Sequence, residues 1–223
     1  VSNMNVTFEI VKNSPEIRTY ITQADVSLTA LGFTEHSFAH VTKCAEVAAH
    51  ILTQLGYSSK EVELAKIAAF MHDIGNVVNR HDHALSGATM AFRILDKLGM
   101  EPADVACVIT AIGHHDDPTA FPVNPVAAAL ILADKTDVRR SRVRNKDMST
   151  FDIHDRVNYS VERSEVLLDL PGRTVTLSLS INTEVCAVMD YFEIFMGRML
   201  LCRKAAEKLG LQFKLMINEQ QLI

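Results

Sequence analysis

Apolar and small residues recur at helical spacing between Glu35 and Leu55, where Val41, Cys44, Ala45, Ala48, Leu52 and Leu55 share a face and Gly56 ends the run. The same rhythm predicts helices from Ser14 to about Ala30, Ser58 to Gly75, Leu85 to Leu98 and Pro102 to Ile112. Their starts carry cap chemistry: Ser14-Pro15-Glu16 places a hydroxyl, a proline and an acid in order, and Ser58 with Glu61 forms a capping-box pattern. Asn124-Pro125 opens a segment that is apolar on every side through Ala133, which predicts a helix buried within a bundle. That helix is expected to continue through "DKTDVRRSRVR", so that everything to about residue 146 reads helical apart from "VTFEIV", a short strand or extended arm at the start.

The period changes after Asn158. "SEVLLDL" and "TVTLSLSI" alternate as strands do, and the "PGR" between them is a turn, so a hairpin is expected. A long helix from Thr183 to Leu209 follows, ended by Gly210, and "LQFKLMIN" returns to strand alternation. The chain is therefore expected to be mainly α, a helical bundle over residues 1–158 carrying a small α+β unit (β-β-α-β) over residues 159–223. The apolar stripe of "VMDYFEIFMGRMLLC" reads as packing, against the hairpin or against a second subunit in a homodimer.

Composition narrows the classes. Twenty-two basic against 27 acidic residues give a net charge of −5, which offers no bulk attraction to a phosphate backbone or an anionic lipid surface. Neither nucleic acid nor membrane is expected as a partner. Cys44, Cys107, Cys186 and Cys202 are scattered among apolar helical neighbours without a C-x-x-C pair, as reduced thiols are. The longest apolar stretch, Pro125 to Ala133, is far short of the roughly 20 residues a membrane helix needs, and no basic-then-apolar segment opens the sequence. A cytoplasmic protein is expected.

The candidate chemistry lies in the histidines. All of them but His154 fall between residues 36 and 115, and all of those but His50 sit at or beside the end of an apolar helix. Converging helix ends can bring several nitrogen and oxygen donors to one point, as a divalent metal requires and a hydrophobic core does not. Asp134 strengthens the case. It follows nine consecutive apolar residues, and a carboxylate emerging from a buried helix is costly unless a cation or donors meet it.

His40, the adjacent pair His72-Asp73 and the distal Asp134 resemble the H…HD…D signature of the HD-domain superfamily of metal-dependent phosphohydrolases. "HVTKCAEVA" is similar to that family's first ligand helix, "FMHDIG" to its HD segment and "LILADK" to its final aspartate, a resemblance spanning residues 33 to 145. It implies that His40, His72, Asp73 and Asp134 hold a metal. "HALSGA", beginning at His83, is similar to a segment of two branches with larger centres, the HD-GYP cyclic-dinucleotide phosphodiesterases and the bacterial symmetrical diadenosine tetraphosphate hydrolases. His114 and His115 fall where those branches place further ligands, and His36 lies one turn before His40, where some add a glutamate. One or two divalent transition ions, iron, manganese or similar, are thus implied, with Asp73 as bridge and catalytic carboxylate. The chain departs from these branches in having no "GYP" after the histidine pair, and in carrying Asn76 where a lysine usually follows "HDIG".

Phosphate contacts must then come from elsewhere, and Lys135, Arg139 and Arg142 on successive turns of one basic helix are the expected source. The function this implies is hydrolysis of a small phosphorylated substrate, a nucleotide, by metal-activated water. A metal-containing nucleotide sensor without turnover and a di-iron oxygenase are the alternatives. His154-Asp155, a second His-Asp pair in polar surroundings, reads as a hydrogen-bonded hinge paired with the Arg139–Arg144 cluster.

Overall fold

A computed structural model describes residues 6–116 and 120–222 of the chain. Its helical part consists of α1 (Phe8–Asn13), α2 (Pro15–Ala30), α3 (Phe38–Gln54), α4 (Ser59–Met71), α5 (His83–Lys97), α6 (Pro102–Gly113), α7 (Pro125–Lys135) and α8 (Ile153–Ser160). The caps read from sequence are in place: Ser14 Oγ accepts from the Ile17 amide, Ser58 and Glu61 form a reciprocal capping box, and Asn124 Oδ1 accepts from Ala127. α7 lies at the centre, packed against α3, α4 and α6, with every residue from Val126 to Ala133 buried.

Two expectations are corrected. Residues 8–13 form a helix and not a strand, because Thr7 caps it and the Phe8 amide donates to Glu63 Oε1 of α4 at 2.5 Å, while none of the strands among the described residues pairs with it. The basic stretch does not continue α7. The helix stops at Lys135, Arg139 is extended, and Arg140–Arg142 make only a 3-10 turn. Tertiary bonds override helical propensity here: Asp137 is buried against His40, and Arg142 donates to the carbonyls of Glu35 and Asp137.

The C-terminal unit matches its predicted topology. β1 (Val161–Asp169) and β2 (Thr174–Ile181) pair antiparallel, α9 (Val188–Lys208) crosses over, and β3 (Gln212–Ile217) returns parallel to β2. A two-residue β4 (Gln220–Gln221) completes the order β1-β2-β3-β4. Tyr191, Phe195, Met199 and Cys202 of α9 are buried, whereas Met189, Met196 and Leu200 are exposed. α9 packs on α7, and the buried apolar residues of both parts form one continuous core. The four cysteines are free thiols, and no helix among the described residues is long and apolar enough to cross a membrane.

Close packing next to the histidines depends on glycine. A 3-10 turn, Ile74–Val77, lies so tightly on the start of α5 that a Cβ at Gly75 would overlap the His83 carbonyl oxygen and come within 2.5 Å of the Gly87 amide nitrogen. Gly75→Ala is expected to cost about 3 kcal/mol or more through overpacking of backbone on backbone, and roughly 6–12 °C in Tm at this chain length. Gly197→Ala, in α9 with open space around it, is expected to stabilise by about 0.5–1 kcal/mol through helix propensity. Thermal melting of the two variants checks both signs.

Candidate metal centre

Each clustered histidine is aimed by its own helix end. His72 caps α4 and donates Nδ1–H to the Ala69 carbonyl at 2.7 Å, which turns Nε2 inward. His115, just past α6, does the same with Ile112 at 2.6 Å, and His83 at the start of α5 does so with Arg80 at 3.1 Å. His40, in the first turns of α3, places Nδ1 on Asp137 Oδ2 at 2.7 Å. In all four, the Nδ1 partner fixes the tautomer and turns Nε2 inward, the arrangement that metal-binding imidazoles use, although His83 Nε2 also lies 3.2 Å from Arg80 Nη1.

The carboxylates meet these nitrogens. Asp73 Oδ2 is 3.4 Å from His72 Nε2 and 3.7 Å from His40 Nε2, while its Oδ1 is 3.4 Å from His83 Nε2. Asp134 Oδ1 lies 3.4 Å from His40 Nε2 and 3.7 Å from His72 Nε2. Ligand atoms fall within 4.8 Å of one another in His40–His72–Asp73, in His72–His115–Asp134 and in Asp73–His83–His115, so Asp73 belongs to two overlapping groups. Cys44, one turn after His40, joins a further such group with His40 and Asp134.

The other residues expected at the site are placed differently. His114 is half-buried, turns Nδ1 to the Thr110 carbonyl and enters none of these groups; of the histidine pair it is His115 that faces inward. His36 rests edge-on against His40, its ring centroid 5.4 Å away, with Nδ1 held by the Thr34 carbonyl, and lines the cavity without joining a ligand group. Lys135 reaches the site, bonded to Asp116 at 2.5 Å and Asp134 at 2.8 Å. Arg139 is engaged by Glu35 and Asp137; the Arg142 guanidinium is bonded to backbone carbonyls yet also lines the cavity that holds Asp73 and Asp134, so the two are not presented on one helical face with Lys135. His154 opens α8 outside the ligand groups. The Asp155 carboxylate accepts from Asn145, and Arg144 pairs with Asp25, so the expected pairing of His154-Asp155 with the basic cluster is absent.

Sequence reasoning passed over several residues here. Asp116 lies 3.5 Å from both His83 and Arg80, and its position directly after His114-His115 was the available signal. Asn76 donates to the Asp73 carbonyl at 2.9 Å and to Asp73 Oδ1 at 3.0 Å, so the residue that replaces the usual lysine fixes the ligand. Asp137 and the cavity-lining Arg80 and Arg198 had no local signal that sets them apart from surface charges.

Electrostatics favour a cation at the centre. Burial would raise the Asp73 carboxyl, yet His72 and the neighbouring imidazoles outweigh it and hold it well below the usual range. Asp134 behaves alike, burial being overcome by Lys135, His40 and His72. Burial would lower His72, but the Asp73 and Asp134 carboxylates push it up to about 10, so without an ion a proton supplies charge the carboxylates require. Burial, with His72 and Lys135 nearby, pushes His115 down to about 3, leaving it neutral. His72 Nε2 and Asp73 Oδ2 are both buried and lack a hydrogen-bond partner. Orphaned donors and acceptors of this kind are rare, and Asp73 lines a void of about 10 Å³, room for one ion or water. The residues fit a divalent transition metal.

The sequence pattern of the HD domain matches residues 37–148, half of the chain. The protein belongs to the HD-domain family. It is 30% identical to ribonuclease Y of Chloroflexus aurantiacus over 174 residues, covering 76% of this chain and 31% of that protein. An uncharacterised protein of Methanocaldococcus jannaschii is 26% identical over 181 residues, covering 71% and 69% respectively. The HD chain thus spans about a third of the ribonuclease Y length. Among solved structures, a predicted HD superfamily hydrolase from an uncultured Thermotogales bacterium is 25% identical, covers 59% of this chain and 73% of its own, and superposes with a TM-score of 0.42.

Asp137 holds the outer nitrogen of a candidate ligand, and removing such a partner typically costs about 10–100-fold in metal affinity. Asp137→Asn is expected to weaken Mn²⁺ binding by that factor in a calorimetric titration. An unchanged dissociation constant would leave Asp137 a purely structural residue.

Proposed function

We propose that this HD domain hydrolyses the phosphate ester or anhydride of a small molecule, a nucleotide, with water as the nucleophile. The observation that carries the reading is the pair of buried, unpartnered ligand atoms, His72 Nε2 and Asp73 Oδ2, inside a ring of further imidazole and carboxylate donors. On this reading His40, His72, Asp73 and Asp134 hold one ion, and His83 with His115 a second, with Asp73 shared. Iron or manganese suits this mixed nitrogen and oxygen set better than magnesium, which prefers all-oxygen ligation. Such ions acidify bound water towards a pKa of roughly 7 and neutralise charge developing on phosphoryl oxygens.

The protein's own groups complete the chemistry. Lys135 stands in the cavity wall, its ammonium kept charged against burial by Asp134 and Asp116, so it adds positive charge beside the reacting phosphate. Asp116 restrains Lys135, His83 and Arg80 together, which orients three donors with one carboxylate. No serine, cysteine or threonine is required as a nucleophile. A second reading, cleavage of an RNA phosphodiester, is favoured by the ribonuclease Y relatives; the net charge of −5 weighs against it.

Purified protein is expected to contain transition metal, and to turn over at least one member of a panel of nucleoside phosphates, bis-p-nitrophenyl phosphate and an oligoribonucleotide. Asp73→Ala should lose most of the metal and more than about 100-fold in rate, beyond the usual loss for an outer partner. Chelation should abolish turnover and lower Tm, because the buried carboxylates lose their counter-charge. Stoichiometric metal with no turnover on any phosphate ester would sink the hydrolase reading.

A further inference from the structure

Arg198 differs from the other cations around the centre. Lys135, Arg139 and Arg142 are each bonded to carboxylates or carbonyls, and Arg80 bonds Asn76 and faces Asp116. Arg198, on α9, has no hydrogen bond or ion pair among the described residues; its guanidinium rests 4.8 Å from the Phe195 ring of its own helix. It nevertheless lines the cavity that contains Asp73 and Asp134. Half-buried in the cavity wall, with Asp134 and Asp116 acting on it only at longer range, its guanidinium is available to an anion that enters. Burial lowers its pKa below the ordinary arginine value, in keeping with a guanidinium partly stripped of water.

A second cavity, of about 280 Å³, adjoins the first and shares His36, Arg80 and Arg198 with it. Its remaining walls have two characters. Leu31, Gly32 and the half-exposed ring of Phe33 form an apolar shelf, with the Arg80 guanidinium 5.5 Å from the Phe33 centroid. Asp152, His154 and Asp155, at the start of α8, line the part of this cavity that the metal cavity does not share. The cavity is thus cationic at the metal end and acidic away from it.

Resting on the phosphohydrolase reading, we propose that Arg198 and Arg80 grip a terminal phosphate while the adjoining cavity takes one nucleoside-sized, uncharged group rich in hydrogen-bond donors, so that the substrate is a phosphomonoester and not a polynucleotide. The volume, about 280 Å³, lies just below the usual range for ligand sites, roughly 300–1,000 Å³, which limits the cavity to one such group. Phe33 offers it a ring face. Asp152 and Asp155 accept from amino or hydroxyl donors, and they repel the next phosphate that a longer chain would bring against them. The C-terminal unit thereby supplies the phosphate anchor for a site otherwise built by the helical part.

The test is calorimetric binding of the phosphonate analogue of AMP, which has no scissile ester oxygen, and of a diadenylate carrying the same 5′ group. For the mononucleotide, Arg198→Met is expected to weaken binding at least about tenfold and Arg198→Lys to retain much of it. Wild type should bind the diadenylate at least about tenfold more weakly than the mononucleotide, and Asp152→Asn with Asp155→Asn should narrow that gap. Unaltered mononucleotide binding in an Arg198→Met protein with a normal melting curve overturns the proposal, as does a diadenylate that binds wild type as tightly as the mononucleotide. If Arg198→Met does not fold, the diadenylate comparison on wild type and the Asp152/Asp155 variant decides. Binding is read without turnover: Arg198-dependent binding in a protein that cleaves no ester would fault the hydrolase reading instead, and cleavage with Arg198-independent binding would fault this one.

Discussion

Two carboxylates, Asp73 and Asp134, sit where water hardly reaches, and the rest of the site is organised around their charge. Removing an unpaired carboxylate from water costs several kcal/mol even after relaxation. Lys135 offsets part of that for Asp134, and the raised affinity of His72 for a proton offsets part of it for both. A divalent cation would offset more, which is why the same geometry that is costly in an empty core becomes stable as a metal centre. The ends of α4, α6 and α7 and the starts of α3 and α5 converge on these charges, so the bundle's architecture and its chemistry are one problem.

Positioning is carried by contacts that do not touch the candidate ion. Asp137 sets the tautomer of His40, Asn76 clamps Asp73, and the absence of side chains at Gly75 and Gly87 lets the turn after His72-Asp73 lie on α5, next to His83. The basic stretch after α7 belongs to this supporting layer. Arg139 and Arg142 tie the chain back to Glu35 and fix Asp137 behind His40, while Arg142 also lines the cavity. Lys135, Arg142, Arg80 and, from α9, Arg198 line the cavity together.

The helices of the bundle, their caps, the hairpin and the β-α-β return were legible because each is written in local signals: a period of 3.6 or 2, a capping serine, a stopping glycine. His40, His72, Asp73 and Asp134 were legible because resemblance to a known pattern linked positions nearly 100 residues apart. Local reasoning failed where one element was claimed by another. Residues 8–13 read as a strand until Glu63 and the Thr7 cap are taken into account, and the charges after Lys135 read as helix until Asp137 is found inside the core.

The sequence alone therefore determined the fold class, the order of the longer elements and the types of donor available to a metal. Tertiary structure decided which donors meet: His115 and not His114, Asp116 and Asp137 as partners, Arg80 and Arg198 as cavity cations. The physical reason is range. Periodicity reports which side of its own element a residue occupies, whereas the meeting of two side chains from distant elements depends on how whole helices cross, and no short stretch of sequence encodes that angle.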